Sequence, residues 1–272
     1  MNNLFNLDGK IAVVTGGSGG LGSAMAGGLA RAGARVVIIS SREQTGAAAA
    51  ADITAAGGTA MSLAADVTDP AAMWHAAEQC EKAWGPVDIL INGAGGNAPG
   101  ATTTATQSFF QLDAPSLNKV FNLNLMGAIY ASQAFGRTMA ERKQGNIINI
   151  GSMAAARAIT RVSAYSAAKA ALDNLTRWLA VYMAQEYGPG IRVNAIAPGF
   201  FLTEQNRFLL TDKETGAFTA RAKTIVAHTP MARLGEAEDL IGTLLWLASP
   251  ASAFVTGIVV PVDGGFSAWS GV

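Results

Sequence analysis

Seven runs of consecutive apolar and β-branched residues recur along the chain: IAVVT from residue 11, RVVIIS from 35, TAMSLAAD from 59, VDILIN from 87, NIINIGS from 146, IRVNAIAP from 191 and GIVVPVD from 257. Near-continuous apolarity, rather than in/out alternation, is what a strand covered on both faces requires. Helix-like stretches fill the gaps, so the chain reads as successive right-handed βαβ units. Helix ends are marked by Ala32-Gly33, Ala56-Gly57-Gly58, Trp84-Gly85-Pro86 and Tyr187-Gly188-Pro189-Gly190. Each falls just ahead of a strand, where a glycine closes a helix. The predicted fold is α/β, a doubly wound parallel sheet of about seven strands flanked by helices.

One stretch breaks the rhythm. Residues 199–230, GFFLTEQNRFLLTDKETGAFTARAKTIVAHTP, separate the sixth strand from the last helix and strand, and a segment that long in a compact domain predicts a lid. No Ser/Gly linker or charge block divides the chain, so residues 1–272 read as one domain. Half of the residues are hydrophobic, 14% are charged, and 19 basic residues balance 19 acidic ones, which gives no footprint for nucleic acid. Cys80 is the single cysteine, so neither a disulfide framework nor structural zinc is expected. The start, MNNLFNLDGK, lacks the pattern of a signal peptide, and no apolar run approaches the roughly 18 residues of a membrane span. A cytoplasmic protein with a small-molecule partner, and no metal, is expected.

Chemistry first appears where the first strand ends. Thr15-Gly16-Gly17-Ser18-Gly19-Gly20-Leu21-Gly22 leads into the alanine-rich SAMAGGLARAGA. Glycines there let the backbone turn sharply against a pyrophosphate, and the helix start offers free N–H groups and a positive dipole end. Between the first strand and first helix of a βαβ chain, such a loop signals a dinucleotide site and a Rossmann-like sheet.

The spacing Gly16, Gly20, Gly22 after Thr15 resembles the short-chain dehydrogenase/reductase family, and further family motifs follow in order. Asn92-Gly93-Ala94-Gly95 ends the fourth strand, Asn124 lies in NLNLMG, Ser152 ends NIINIGS, Tyr165 and Lys169 follow, and Pro198-Gly199 closes the sixth strand. The resemblance runs to Val262-Asp263-Gly264-Gly265 and implies an NAD(P)-dependent dehydrogenase/reductase. Tyr165 and Lys169 stand four apart, hence on one helical face, where an ammonium can favour a phenolate and lower a pKa near about 10. By the resemblance, Tyr165 protonates a carbonyl oxygen, Ser152 hydrogen-bonds that oxygen, Lys169 also holds the nicotinamide ribose, and Asn124 holds a proton-relay water. Thr15, Gly16, Ser18, Gly20, Leu21, Gly22, Asn92, Gly93, Ala94, Gly95, Pro198, Gly199 and Thr203 are the implied cofactor contacts.

The family reads the adenosine ribose at the end of its second strand, here Ser40-Ser41-Arg42. No carboxylate repels a phosphate there, two hydroxyls can donate, and Arg42 offers a bidentate fork, which favours NADP(H). Arg42 sits one position later than the usual basic residue, so NAD(H) or dual use stays open. Asp66-Val67 resembles the adenine-edge contact, with a helix N-cap as the plainer role for Asp66.

For the substrate, NGAGGNAPGATTT, PGFFLTEQNRFLL and AHTPMARLGE resemble the fructuronate reductase (D-mannonate oxidoreductase) branch, close to gluconate 5-dehydrogenases. A sugar-acid ketone needs a cation for its carboxylate, and Arg157 and Arg161, between Ser152 and Tyr165, are the candidates. Each has a solvent-facing role as its alternative. Asn97, Thr203, Glu204, Gln205, Asn206 and Arg207 supply polar groups near the pocket mouth, and Asn97, Gln205 and Asn206 are taken as substrate contacts. Ala154 stands where this branch often carries a polar residue. A reductase of 5-ketogluconate or a 3-oxoacyl thioester, or a non-catalytic dinucleotide sensor, are the competing readings. His75 and His228 read as packing or loop residues, and Phe201 as packing or a nicotinamide cover. Relatives are commonly tetramers, so a homotetramer is expected.

Overall fold

A computed structural model describes residues 4–203 and 206–271. Gln205 and Glu204, candidates for the pocket mouth, lie outside the described residues. The element order is β1 (Ile11–Thr15), α1 (Gly20–Arg31), β2 (Arg35–Ser40), α2 (Glu43–Ala55), β3 (Thr59–Ala64), α3 (Pro70–Trp84), β4 (Ile89–Asn92), α4 (Ala114–Phe121), α5 (Gly127–Arg142), β5 (Gly145–Ile150), α6 (Ser163–Glu186), β6 (Ile191–Pro198), α7 (Arg207–Leu210), α8 (Ala220–Ala227), α9 (Ile241–Ala248) and β7 (Val259–Val262). The strands form one parallel sheet in the order β3-β2-β1-β4-β5-β6-β7. Every strand expected from the apolar runs is present.

The reason for the unbroken apolar runs is visible in the packing. β1, β4 and β5 are buried along their whole lengths, and two separate apolar cores lie on the two faces of the sheet. Alternate residues of one strand serve opposite cores: Ala12 and Val14 pack with Met25, Leu29 and Leu244, while Val13 packs with Met73, Phe135 and Met139. The edge strands differ. β3 and β7 are largely half-exposed, because each has a neighbour on one side only.

This topology puts the site at one end of the sheet. The chain leaves β1 toward one face and β4 toward the other, so a crevice opens beyond their C-terminal ends, as doubly wound sheets require. Residues 199–203 and 206–230 follow β6. They contribute α7, α8 and a bridge from Thr211 to Phe218, and Leu210, Ala222 and Ile225 form a small apolar cluster with Leu234. Among the described residues, no helix is long and apolar enough to cross a membrane, and no cluster of His, Cys, Asp and Glu suits a metal ion. Cys80 is buried in the core.

Candidate active site

A cleft of about 960 Å³ runs along the C-terminal edge of the sheet. Its floor is the turn from β1 into α1. Gly16 adopts φ +66°, and a Cβ there would lie 2.8 Å from Ala94 Cα; a Cβ on Gly22 would collide with the Gly16 carbonyl, and one on Gly93 would reach within 2.8 Å of Thr15 O. Side chains are thus excluded from both rims, and the backbone itself meets a ligand. Gly20, Leu21 and Gly22 line the cleft with the first turn of α1, whose amides lack intrahelical acceptors. The size and an anion-ready helix start fit a dinucleotide pyrophosphate. Thr15 lies beneath: its hydroxyl oxygen accepts from Gly93 N (3.1 Å) and Ala94 N (3.2 Å) and ties the two glycine turns together.

At the far end of β2, Ser40, Ser41 and Arg42 line the cleft. Ser40 is nearly buried, and its hydroxyl is already shared among Ser18 Oγ (2.9 Å), Thr45 Oγ1 (3.1 Å) and Arg42 O (3.0 Å). Ser40 therefore shapes the turn, and the exposed Ser41 and Arg42 face the cleft. Asp66 and Val67 line the same end. Asp66 Oδ1 accepts from Thr68 N and Oγ1, both 2.8 Å, and the N-cap of α3 is Asp69 instead.

The other end holds the proton chemistry. Ser152 follows β5 in extended conformation, and its oxygen accepts from Ala154 N at 3.1 Å. Tyr165 and Lys169 project from the first turns of α6 into the same pocket, with Lys169 Nζ 5.7 Å from the Tyr165 ring centroid. Lys169 is 3% exposed and donates to Ile150 O at 2.7 Å. Burial draws its ammonium down to about 8, opposed by the Asp173 carboxylate one turn along. Burial pushes the Tyr165 phenol above its ordinary value, and a hydrogen bond with Ser152 pulls it back. The direction is opposite to the lowering expected from Lys169: loss of water around Tyr165 dominates its shift.

Asn124 does not sit in regular α-helix. Asn122–Met126 form a π-helical stretch joining α4 to α5. The Asn124 amide is engaged at both ends, accepting from Gly96 N (3.1 Å) and donating to Gly96 O (2.7 Å) and Val120 O (2.8 Å). It fixes the loop that follows β4.

Residues 10–214 match the short chain dehydrogenase family. The chain belongs to that family. An oxidoreductase of Bacillus subtilis called UxuB, of uncharacterised activity, is 52% identical over 98% of both chains. A structure from Haemophilus influenzae, provisionally assigned as a D-mannonate oxidoreductase and holding NAD, is 44% identical with a TM-score of 0.91 over 98% of both chains. A galactitol 2-dehydrogenase (L-tagatose-forming) of Cereibacter sphaeroides is 38% identical over 98% of both chains.

Within this dehydrogenase most of the sequence-predicted site converges. Gly16, Ser18, Gly20, Leu21, Gly22, Ala94, Gly95, Pro198, Gly199, Thr203 and Asn206 line the cleft with the residues already described. Asn92, expected beside the cofactor, does not: it is 2% exposed, and its amide donates inward to Ser132 Oγ (3.0 Å) and Asn149 Oδ1 (2.8 Å). Its polarity stitches β4 to β5 and α5. Asn97, expected to contact substrate, is exposed and donates to Thr102 Oγ1 at 2.9 Å, so it braces its own loop. Arg157 donates to the Ser267 carbonyl of the C-terminal tail and is not among the cleft-lining residues. Arg161 is not among the cleft-lining residues. Asn118, Lys119 and Asn122 also line the cleft and escaped sequence reading. Their signal was a polar face at spacing 118, 119, 122, running from α4 into the π-helical stretch.

Proposed function

We propose that this dehydrogenase interconverts a sugar-acid ketone and its alcohol, of the fructuronate/mannonate kind, with NADP(H) as favoured cofactor and NAD(H) also accepted. The observation that carries the reading is the convergence of Ser152, Tyr165 and Lys169 at one end of a cleft whose opposite end presents Arg42. The nicotinamide, when bound, supplies hydride to the carbonyl carbon or removes it from the alcohol. In reduction, Tyr165 Oη donates its proton to the carbonyl oxygen, while the Ser152 hydroxyl donates a hydrogen bond to the same oxygen and stabilises its developing charge. The Lys169 ammonium then faces the phenolate left on Tyr165 and lowers the free energy of that charged state. In oxidation the phenolate takes the proton back. Gly16, Gly20 and Gly22 with the α1 amides hold the pyrophosphate, and Asp66 and Val67 border the adenine.

Ser41 and Arg42 support the NADP(H) preference, since they add donors at the ribose and no carboxylate stands at residues 40–42. NAD in the Haemophilus relative supports use of both cofactors. The sugar-acid assignment is supported by the D-mannonate assignment of that relative. The galactitol relative favours a second reading, a neutral ketohexose as substrate. We read residues 199–230 as the lid. We also infer a homotetramer, which the exposed apolar residues Trp178, Val181 and Tyr182 of α6 support as a subunit contact.

Initial rates of NADPH and NADH oxidation with fructuronate, 5-ketogluconate, tagatose and an acetoacetyl thioester test this reading. The acid ketones are expected to turn over fastest, and Arg42→Ala is expected to raise the KM for NADPH about tenfold or more while leaving that for NADH unchanged. Exclusive use of tagatose would establish the neutral reading, the thioester would replace both, and silence across the panel with cofactor still bound would identify a sensor.

A further inference from the structure

The turn that carries Ser152 is closed by its own backbone and then tied to the far end of the chain. Ala155 N donates to Ser152 O at 3.0 Å, and Ala156 N and Arg157 N both donate to Met153 O, at 3.2 Å and 2.9 Å. Ala154 N adds its bond to Ser152 Oγ. Residues 152–157 are therefore one compact hydrogen-bonded turn, and Arg157 is its last member. The exposed Arg157 guanidinium donates to Ser267 O, 110 residues further on. A long solvated side chain gains little from closing on a carbonyl unless that carbonyl is itself held in place.

The tail holds it in place. Ser267 N donates to Asp263 Oδ2 at 2.8 Å and Gly265 N to Asp263 Oδ1 at 2.9 Å, so both carboxylate oxygens order the backbone around Ser267. Asp263 directly follows β7 and lies against the chain that leaves β6: Gly199 N donates to Val262 O at 2.9 Å, and a Cβ on Gly199 would come within 2.7 Å of Asp263 Cβ. The Phe266 ring meets Phe200 edge-on, with 5.2 Å between centroids. Further along, Met231 N donates to Gly264 O at 3.0 Å, and the Trp269 ring lies 6.0 Å from that of His228 at the end of α8. Ser152 lines the cleft from the turn after β5, and Gly199 and Phe201 line it from the segment after β6. Residues 263–269 touch both of these segments, and Arg157 is the arm that reaches them from the Ser152 turn.

We propose that Arg157 is a positioning residue: through Ser267 it clamps the turn that carries Ser152 to the segment after β6, and so fixes where the Ser152 hydroxyl stands relative to Tyr165. Arg157 is not among the cleft-lining residues, so it acts through the turn and not on the substrate. The inference rests on the proton chemistry proposed for Ser152 and Tyr165 and goes beyond it by giving the C-terminal tail a part in that chemistry. A misplacement of about 1 Å at a catalytic group can lower a rate about a hundredfold, so a single tie outside the cleft can set turnover.

Three full-length variants test this: Arg157→Met, which keeps the apolar stem and loses the donor; Ser267→Pro, which removes the N–H that Asp263 holds; and the two combined. On whichever ketone of the panel above wild type reduces fastest, each single variant is expected to lower kcat about fivefold or more, with NADPH affinity and melting temperature near those of wild type. The double variant is expected to be no slower than the slower single one, because both changes cut the same link. Hydrogen exchange followed by mass spectrometry gives a readout that needs no turnover: the amides of residues 154–157 are expected to exchange about threefold or more faster in both single variants. Wild-type exchange in this turn, multiplying losses of kcat in the double variant, or an effect confined to KM or to melting temperature would overturn the role. Undiminished turnover by Ser152→Ala would instead overturn the proton chemistry on which it rests, so the two failures are distinguishable.

Discussion

Asp173 stands one turn beyond Lys169 on α6, is 8% exposed, and leaves Oδ1 without a hydrogen-bond partner among the described residues. Burial raises its carboxyl from 3.8 to about 6, with Arg177 and Lys169 pulling the other way. A folded-state value above the unfolded one means that the native protein holds the proton more tightly. The contribution to stability is therefore fully present below about pH 4 and is lost as pH rises through about 6. A neutral amide in its place would mimic the protonated carboxyl at every pH. Asp173→Asn is thus expected to gain stability relative to wild type as pH is raised from about 4 to about 7, by on the order of 1–3 kcal/mol, measured by urea unfolding at both values. The same change removes the charge that props up the Lys169 ammonium, so the alkaline limb of activity should move to lower pH. A stability difference that does not vary with pH would show that Asp173 is not titrating in this range.

At the scale of elements, the loop from β4 and the π-helical stretch are one device. A Cβ on Gly95 would lie 2.8 Å from Asn124 Oδ1 and 3.3 Å from Lys169 Nζ, so the loop, the π turn and α6 pack with no room to spare. Gly95→Ala must displace the Asn124 amide from Gly96. It should cost about 1–3 kcal/mol in stability and weaken NADPH binding about tenfold or more, read by thermal melting and by fluorescence titration. Wild-type affinity in this variant would mean that the loop adapts and that Asn124 does not set its shape. The sequence shows Asn124 in a helical pattern, but its amide is paired with Gly96, 28 residues away, and no local periodicity reports that contact. The contacts of Asn92 and Arg157 escaped for the same reason. Their partners, Asn149 and Ser267, lie 57 and 110 residues along the chain.

For the whole molecule, what could be read in advance was whatever repeats or stays local. Seven strands followed from seven apolar runs because burial on both faces leaves little room for polar residues, and the glycine turn was legible because only glycine fits where Gly16 and Gly22 touch. The central claim joins these scales: hydride arrives along the cleft, and the proton comes from Tyr165. It is tested most directly with NADPH deuterated at the donating nicotinamide carbon and a sugar-acid ketone, analysing the alcohol by mass spectrometry for wild type and Tyr165→Phe. Wild type is expected to place one deuterium on the former carbonyl carbon, and Tyr165→Phe to bind NADPH normally yet form almost no labelled alcohol. Unlabelled product, or undiminished turnover by Tyr165→Phe, would contradict the account.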